Sequence, residues 1–261
     1  MTITLTVSIV TYRTDLAILQ ATLDSLRSSS VPLEVLLVDN TPEDTYFATL
    51  PTSENVRAIR SPRNGGYGFG HNFALANTKT AAPYHLILNP DVVVHPKCLE
   101  QLIAGMDTDA GIALAMPKIL NPDGSIQRLN KRHPSVLDLG LRRFVPQTFQ
   151  RLPIIARRMA YFERMDIGYD VPSEIPYASG CFMLFRRATL DTLHGFDERF
   201  FMYFEDADLT RRARSTGRVQ FFPNAIITHN WTRGSHTNWK LMLCTLTSAY
   251  RYFNKWGWKL W

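Results

Sequence analysis

Hydrogen-bonding and anionic residues recur where the apolar runs of this sequence end. The run Leu5–Thr11 leads into Tyr12-Arg13, Leu33–Asp39 into Asn40, and Tyr84–Leu88 into Asn89-Pro90-Asp91. A carboxylate at the exit of a buried strand can accept a hydroxyl or hold a hard divalent cation whose other ligands are phosphate oxygens. Asp and Asn also cap helices, so one such residue says little; three such run ends together indicate a ligand-binding edge. His229, at the end of a later run, offers a nitrogen that would favour Mn²⁺ over Mg²⁺, although a lone histidine is more often structural.

The densest chemical signal lies between Gly195 and Leu209, where five carboxylates sit among aromatic residues and Met202. Acids in apolar surroundings have raised pKa values and can serve as general bases. Glu205, Asp206 and Asp208 also suit the first turn of a helix, where the macrodipole favours anions. Asp208 lies one turn before Arg211 and Arg212, so a surface ion pair is expected for it. Earlier in the chain, Asn64-Gly65-Gly66-Tyr67-Gly68-Phe69-Gly70-His71-Asn72 places four glycines before a helix. Glycines allow a backbone to approach a ligand closely, and a helix N-terminus favours an anion. A plain tight turn is the competing reading. The run is neither a phosphate-binding Walker loop nor the dinucleotide fingerprint, whose glycines belong in the first strand-to-helix turn.

The elements that must position these residues alternate. Strands are expected at Leu5–Thr11, Leu33–Asp39, 56–59, Tyr84–Leu88 and 112–117. Helices are expected at 15–27, 69–77 and 96–105, the last opening with Pro96 and stopping at Gly105. This rhythm predicts an α/β fold with a mixed, mostly parallel sheet flanked by helices. A segment interrupted by prolines follows and predicts an irregular connection with one or two short helices. Beyond it come a strand at 181–185, a helix at 205–215, two short strands at 219–222 and 225–228, and a C-terminal helix near 238–254. One domain is expected over 1–261, divided as 1–120, a basic insert 121–175, 176–236, and a terminal helix and tail 237–261.

The chain of 261 residues carries a net charge of +6 with 45% hydrophobic residues, which excludes disordered and collagen-like classes. Three widely spaced cysteines argue against a disulfide framework and a thiolate zinc site. No signal peptide and no membrane span is expected. Between Gln127 and Arg164, nine basic residues face only Asp138 and Glu163, a net of +7, so the remainder nets −1. Such a segment suits phosphate: a nucleic acid, an anionic membrane or a diphosphate. In the last helix, Met242, Leu246, Ala249 and Phe253 form an apolar stripe that either docks on the core or meets lipid. Trp256, Trp258 and Trp261 follow, with Arg251, Lys255 and Lys259, although Gly257 opposes a continuous basic helix face.

Taken in order, these motifs resemble the inverting family-two glycosyltransferases of the GT-A fold, closest to the rhamnosyltransferases of bacterial O-antigen and cell-wall assembly. The resemblance rests on Val7-Ser8-Ile9-Val10-Thr11-Tyr12, Val38-Asp39-Asn40, the run Asn64 to Asn72, Leu88-Asn89-Pro90-Asp91, Ser179-Gly180-Cys181-Phe182-Met183-Leu184, and Gly195 to Leu209. It implies that Thr11, Tyr12, Arg13, Asp39 and Asn40 hold the nucleotide, with Asn64, Gly65, Gly66, Gly68, Asn72 and Asn89 against the nucleotide sugar. Asp91 matches the last acid of the family's DxD metal motif, whose first acid is here Asn89, and His229 would complete a Mg²⁺ or Mn²⁺ site. Asp206 matches the catalytic base and Glu205 its neighbour; Ser179 and Gly180 fall on the acceptor side. Arg233 and His236, in a loop 232–236 that either closes on the donor or simply connects, would help stabilise the leaving diphosphate. The implied donor is dTDP-L-rhamnose. The implied acceptor is a polyprenyl-diphosphate-linked saccharide at the inner face of the cell membrane, with the protein cytoplasmic and peripheral. The basic insert would serve the acceptor's diphosphate or the membrane.

Two other readings compete. One is transfer of a different sugar from a UDP- or GDP-linked donor. The other is a basic nucleic-acid-binding protein, which accounts for the insert but not for Asp39, Asp91 and Asp206, nor for the lack of interleaved stacking aromatics.

Overall fold

The computed structural model describes residues 2–230 and 239–261. Its first half follows the expected alternation: β1 (Leu5–Thr11), α1 (Leu16–Arg27), β2 (Leu33–Asp39), α2 (Asp44–Phe47), β3 (Val56–Arg60), α3 (Tyr67–Ala76), β4 (Tyr84–Leu88), β5 (Val92–Val94), α4 (Cys98–Thr108) and β6 (Ile112–Leu120). The insert forms α5 (Val136–Phe144), α6 (Gln147–Gln150) and α7 (Pro153–Phe162), one helix more than expected. Then come β7 (Ser173–Glu174), β8 (Phe182–Arg186), α8 (Arg187–Leu193), α9 (Glu205–Ala213), β9 (Arg218–His229) and α10 (Trp239–Trp256).

One nine-stranded sheet runs in the order β3-β2-β1-β4-β8-β6-β9-β5, with β7 pairing β9. The pairs β1–β2, β1–β4, β2–β3 and β6–β9 are parallel, while β5, β7 and β8 run against their neighbours. The six co-directional strands deliver their carboxyl ends to one edge. An antiparallel strand starts at the edge where its neighbours end, so β8 brings Gly180 and Cys181 to the same place. Leu88 pairs with Phe182, and the Asn89 N–H donates to the Cys181 carbonyl at 2.9 Å.

The sheet is buried on both faces, as its continuous apolar runs require: every residue of β4 is buried. Each fully buried Leu, Ile or Val contributes roughly 1.5–3 kcal/mol relative to exposure. A polar seam crosses this core. Ser8 Oγ lies 2.7 Å from His71 Nδ1 and 2.9 Å from His85 Nε2, and Thr6 Oγ1 lies 2.8 Å from His85 Nδ1. Burial, then the neighbouring His85, pushes the His71 pKa well down. Burial and Arg187 push His85 down to about 3. The two rings are therefore neutral, and they tie α3 to β1 and β4. Gly70 completes that contact, because a Cβ there would come within 2.7 Å of Val10 on β1.

Several elements differ from the sequence expectation. Gly105 does not end α4; it lies within the helix, where the Phe222 ring leaves no room for a Cβ. Pro96 stays outside that helix, which begins after Lys97 in a left-handed conformation. The two short strands expected at 219–222 and 225–228 are one strand, β9, whose register against β6 shifts between Pro117 and Lys118. Three residues of β9 are accommodated at that shift, which hid its continuity. The short β5 escaped notice because Val92–Val94 lacks any period.

The terminal stripe divides. Ala249 and Phe253 are buried with Ser248 and Tyr252 in a second apolar cluster built on Phe200, Phe204 and Ala207. Leu246 is 50% exposed. The helix ends before Gly257, whose φ of 91° allows the chain to turn away. The tail then caps the insert: the Val136 and Leu137 N–H groups at the start of α5 donate to the Lys259 and Leu260 carbonyls at 2.9 and 3.0 Å.

Asp208 is not the surface partner expected of it. It is fully buried and accepts from Arg212 Nε at 2.8 Å, Trp256 Nε1 at 2.8 Å and Lys255 Nζ at 2.7 Å. It thereby joins α9 to α10. Asp208→Ala strands Lys255 and Arg212 in a partly buried site, and an unfolding free energy lower by about 3 kcal/mol is expected in urea titration. A change below about 0.5 kcal/mol, the range of an ordinary surface substitution, would contradict this role.

Candidate functional site

The carboxyl edge of the sheet gathers three groups of residues. The first lies at the ends of β1 and β2, where Thr11 and Asp39 are register partners. Thr11 Oγ1 approaches Asp39 Oδ1 at 3.5 Å, and the Thr41 N–H donates to that oxygen at 2.9 Å. Asp39 Oδ2 is buried with no hydrogen-bond partner. Asn40 donates through Nδ2 to the Gly66 carbonyl at 3.0 Å, and its Oδ1 is likewise buried and unpartnered. Buried acceptors left open at one edge are what a hydroxyl-rich or base-bearing ligand requires. Tyr12 is half exposed beside them, and Arg13 turns outward to pair with Glu43.

The glycine-rich run serves packing more than ligand approach. A Cβ on Gly66 would fall 2.0 Å from the Phe201 carbonyl oxygen, and one on Gly68 2.8 Å from Phe196 Cβ. Gly66 also has φ 95°, and its N–H donates to Asn64 Oδ1 at 3.2 Å. Gly65 would meet only the Phe69 ring. Asn72 is fully engaged in protein contacts: its Oδ1 accepts from the Phe196 N–H at 2.8 Å, and its Nδ2 donates to the Phe196 carbonyl and to Glu198. The run thus fixes the 195–201 turn against α3.

The second group follows β4. Asp91 Oδ1 is buried, without a hydrogen bond, and lies 3.4 Å from His229 Nε2; Asn89 Nδ2 lies 3.4 Å from the same nitrogen. β9 supplies the histidine by pairing Val92 with His229. His229 Nδ1 is 2.7 Å from Gln127 Oε1, and Gln127 donates through Nε2 to Asn121. Because Gln127 presents its oxygen, Nδ1 carries the proton and Nε2 faces Asp91. Burial lowers the His229 pKa, but Cys181 and Asp91 more than offset it and raise it to about 10. The two side chains fit one edge of a divalent site. The open Asp91 oxygen offers an oxygen donor, the imidazole would offer Nε2 once a cation displaced the proton that the raised pKa keeps there, and phosphate oxygens would complete the shell. Among the described residues no third His, Cys, Asp or Glu joins them. Arg233, His236 and the loop 232–236 lie outside the described residues.

The third group is the head of α9. Tyr203 and Phe204 precede it with φ of 68° and 66°, a strained pair for side-chain-bearing residues. They turn Glu205 and Asp206 back beneath the edge. Asp206 Oδ2 accepts the Gly180 N–H at 2.9 Å, Oδ1 accepts the Ala207 N–H at 2.8 Å, and the Tyr177 hydroxyl lies 3.1 Å from both. Glu205 has its own backbone N–H as a donor, and its Oε2 is buried and unpartnered. Burial, and then the charge of Asp206, pushes Glu205 well above the usual carboxylate range. Burial also raises Asp206, but Gly180, Lys131, Ala207 and Tyr177 pull it back. Of the adjacent pair, Glu205 therefore holds a proton and Asp206 the charge.

Tyr67 links the groups and was absent from the expected site. Its hydroxyl donates to the Gly180 carbonyl at 2.6 Å, on the peptide unit beside the one serving Asp206. Burial, then Glu205, Cys181, Asp206 and Asp91 in turn, push its pKa well up. These acids thus converge on one side chain although they are far apart in sequence. Tyr177, Lys131 and Gln127 were missed as well. Tyr67 stood within the glycine-rich run, whereas Lys131 and Gln127 lie in the insert, where nothing but charge was legible, and Tyr177 lies just beyond it. Ser179, flanking Gly180, is half-buried.

This architecture is that of the GT-A glycosyltransferases. The crystal structure of GalNAc-T7 with UDP, GalNAc and Mn²⁺ matches with a TM-score of 0.64 at 15% identity, over 91% of this chain and 45% of that one. Residues 1–349 of S. aureus TarS match at 0.56 and 18% identity, over 87% of this chain and 60% of that one. The chain thus spans about half the length of these two structures. The chain belongs to Glycosyl transferase family 2, whose pattern matches residues 6–193. It is 31% identical over 213 residues to the N-acetylglucosaminyl-diphospho-decaprenol L-rhamnosyltransferase of two Mycobacterium tuberculosis strains, covering 76% of this chain and 67% of those proteins. It is accordingly a glycosyltransferase.

The protonated state of Glu205 has a measurable sign. Between the ordinary glutamate value and the raised one, the folded chain binds a proton that the unfolded chain releases, so this group's contribution to stability falls as pH rises. Glu205→Gln cannot ionise. Its melting temperature relative to the native sequence is expected to increase from pH 5 to pH 8 in calorimetry; a relative decrease over that range would contradict a neutral Glu205.

Proposed function

We propose that the protein is an inverting rhamnosyltransferase. It moves L-rhamnose from dTDP-L-rhamnose to a hydroxyl of a polyprenyl-diphosphate-linked saccharide in bacterial O-antigen or cell-wall polysaccharide synthesis. The observation that carries this reading is Asp206, a charged carboxylate held by Gly180, Ala207 and Tyr177 at the edge that also presents Asp39 and Asp91. The mycobacterial relative supports the donor sugar and the lipid-linked class of acceptor.

Thr11, Asp39 and Asn40 take the nucleoside through their open acceptors. Asp206 accepts the proton of the attacking acceptor hydroxyl. That oxygen bonds to the anomeric carbon as the carbon–oxygen bond to the diphosphate breaks on the opposite face, turning a β donor into an α product. The nucleoside diphosphate leaves with the bonding electrons. Asp91 and His229 would hold a Mg²⁺ or Mn²⁺ ion, which would supply positive charge against the charge that develops on the diphosphate. Glu205, being neutral, does not compete with Asp206 for the proton.

The acceptor's lipid requires a membrane. No helix among the described residues is long and apolar enough to cross one. Along α10, Trp239, Leu243, Leu246 and Tyr250 form an exposed apolar stripe, continued by Trp258, Leu260 and Trp261. The tail's contact with α5 places Leu137 of the insert beside it. Arg251 and Lys259 supply positive charge along this end, whereas Lys255 is taken up by Asp208 and Asp197. We assign this face to the anionic inner leaflet of the cell membrane, which makes the protein cytoplasmic and peripheral. The insert is less free for phosphate than its charge suggested. Arg158 pairs with buried Asp138, Arg142 with Glu163 and Arg132 with Asp166. This counts against nucleic acid as the partner, and among the described side chains of the insert it leaves Arg128, Arg151 and Arg157 as exposed cations.

Transfer is tested with dTDP-L-rhamnose, metal and polyprenyl-diphospho-N-acetylglucosamine, with products weighed by mass spectrometry. Asp206→Asn is expected to fold and bind donor while turnover falls ~10²–10⁴-fold; near-normal turnover would remove the base assignment. Asp91→Ala should abolish the difference in donor binding with and without EDTA, and a persisting difference would contradict its role. A larger thermal shift with a UDP- or GDP-sugar than with dTDP-L-rhamnose would favour transfer of another sugar.

Membrane contact predicts that the chain floats with anionic liposomes and that Leu243→Glu with Leu246→Glu abolishes flotation. Equal flotation of the double variant would exclude the α10 stripe.

A further inference from the structure

The base carboxylate on α9 is also served from the insert that precedes β7. The insert contributes Lys131, whose N–H donates to the Tyr177 carbonyl at 3.4 Å in an isolated antiparallel bridge. The same lysine places Nζ 5.6 Å from the centroid of the Tyr177 ring. The hydroxyl of that ring lies 3.1 Å from both oxygens of Asp206. Cation, phenol and carboxylate therefore stand in a row, and two of the three come from residues that gave no chemical signal in the sequence.

We propose that Lys131 and Tyr177 act as a positioning pair for Asp206: the ammonium polarises the phenol, and the phenol holds the carboxylate charged and aimed at the acceptor hydroxyl. The proposal rests on Asp206 being the base. A cation over an aromatic face is stabilised by the ring and strengthens the hydroxyl as a donor. Donors to the charged form of a carboxylate favour that form, as does an opposite charge close by. Both influences are needed here, since burial opposes the charge on Asp206. The symmetric 3.1 Å contacts are longer than an ordinary hydroxyl–carboxylate bond of about 2.7 Å. An acceptor hydroxyl can therefore take one oxygen while Tyr177 keeps the other.

The surroundings are consistent with this arrangement. Glu205, Tyr67 and Tyr252 also face the carboxylate, and all three are neutral when Asp206 is charged. Lys131 is the cation that acts on Asp206 directly. Burial, then Arg142, lowers the lysine to about 8, while Asp206 and Glu163 act to raise it. At neutral pH the lysine is largely charged, which the pairing requires.

The test is the pH profile of kcat/KM, with dTDP-L-rhamnose and polyprenyl-diphospho-N-acetylglucosamine as substrates throughout. Using the same substrates for every variant cancels their own ionisation. Tyr177→Phe and Lys131→Met each remove support for the charged carboxylate, so the acidic limb is expected to move up by about one pH unit. Lys131→Arg should return the limb to its native position. An acidic limb that stays in place while activity falls uniformly would make both residues merely structural and overturn the proposal. A raised KM for the acceptor with an unmoved limb would make Lys131 an acceptor ligand and also overturn it. Asp206→Asn is run alongside. If that variant keeps its turnover the base reading itself fails; if it is inactive while the limbs do not move, only the positioning pair fails.

Discussion

Three carboxylates carried into the protein at the start of one short helix govern this structure. Glu205, Asp206 and Asp208 all lie in the first turn of α9, and each is settled differently. Asp208 is neutralised by Arg212 and Lys255 and recruits the terminal helix. Asp206 is held by backbone donors and the Tyr177 hydroxyl. Glu205 receives only its own backbone N–H, leaves Oε2 without a partner, and stays protonated. Burying three charges together would be prohibitive, and the division of labour among them is what allows one negative charge to survive at an apolar edge. The helix macrodipole assists, but it does not distinguish neighbours in the same turn; the local donors do.

Much of the remaining architecture can be understood as positioning that turn. The neutral His71–Ser8–His85 seam and the glycine contacts seat α3 on the sheet, and α3 presents Tyr67 to Gly180. Gly180 reaches the carboxyl edge because β8 runs against β4. The second apolar cluster, with Tyr252 and Phe253 packed on Phe204, supports the left-handed pair that aims the acids. The tail that closes on α5 binds the insert to the same cluster, so Lys131 and Tyr177 reach the site on a braced segment.

The strand ends were legible in the sequence because parallel strands buried on both faces produce unbroken apolar runs. A polar residue at the end of such a run stands out, and Thr11, Asp39 and Asn89 emerged in this way. The acid cluster at Glu205 and Asp206 was legible for a related reason, as charge inside an aromatic stretch. What escaped was decided by tertiary contact. The pattern of Asp208 is that of a surface helix pair, and nothing local indicates that Lys255 and Trp256 close over it. Asn72 and the glycines invite a ligand reading, yet their partners are Phe196, Phe201 and Val10, more than a hundred residues away for the first two. Between Gln127 and Arg164 a net charge concealed pairings: the two acids there each hold an arginine, and the functional contribution of this stretch comes from a lysine without a motif, with Tyr177 beyond it.

The central claim is that a single charged carboxylate, Asp206, activates the acceptor for direct displacement at one anomeric centre. Its most direct test is the anomeric configuration of the product formed from dTDP-β-L-rhamnose and polyprenyl-diphospho-N-acetylglucosamine, read by one-bond carbon–proton coupling in NMR. The account predicts an α-linked rhamnose, the outcome of one inversion. A β-linked product would require two displacements and a nucleophile on the protein, and would contradict it.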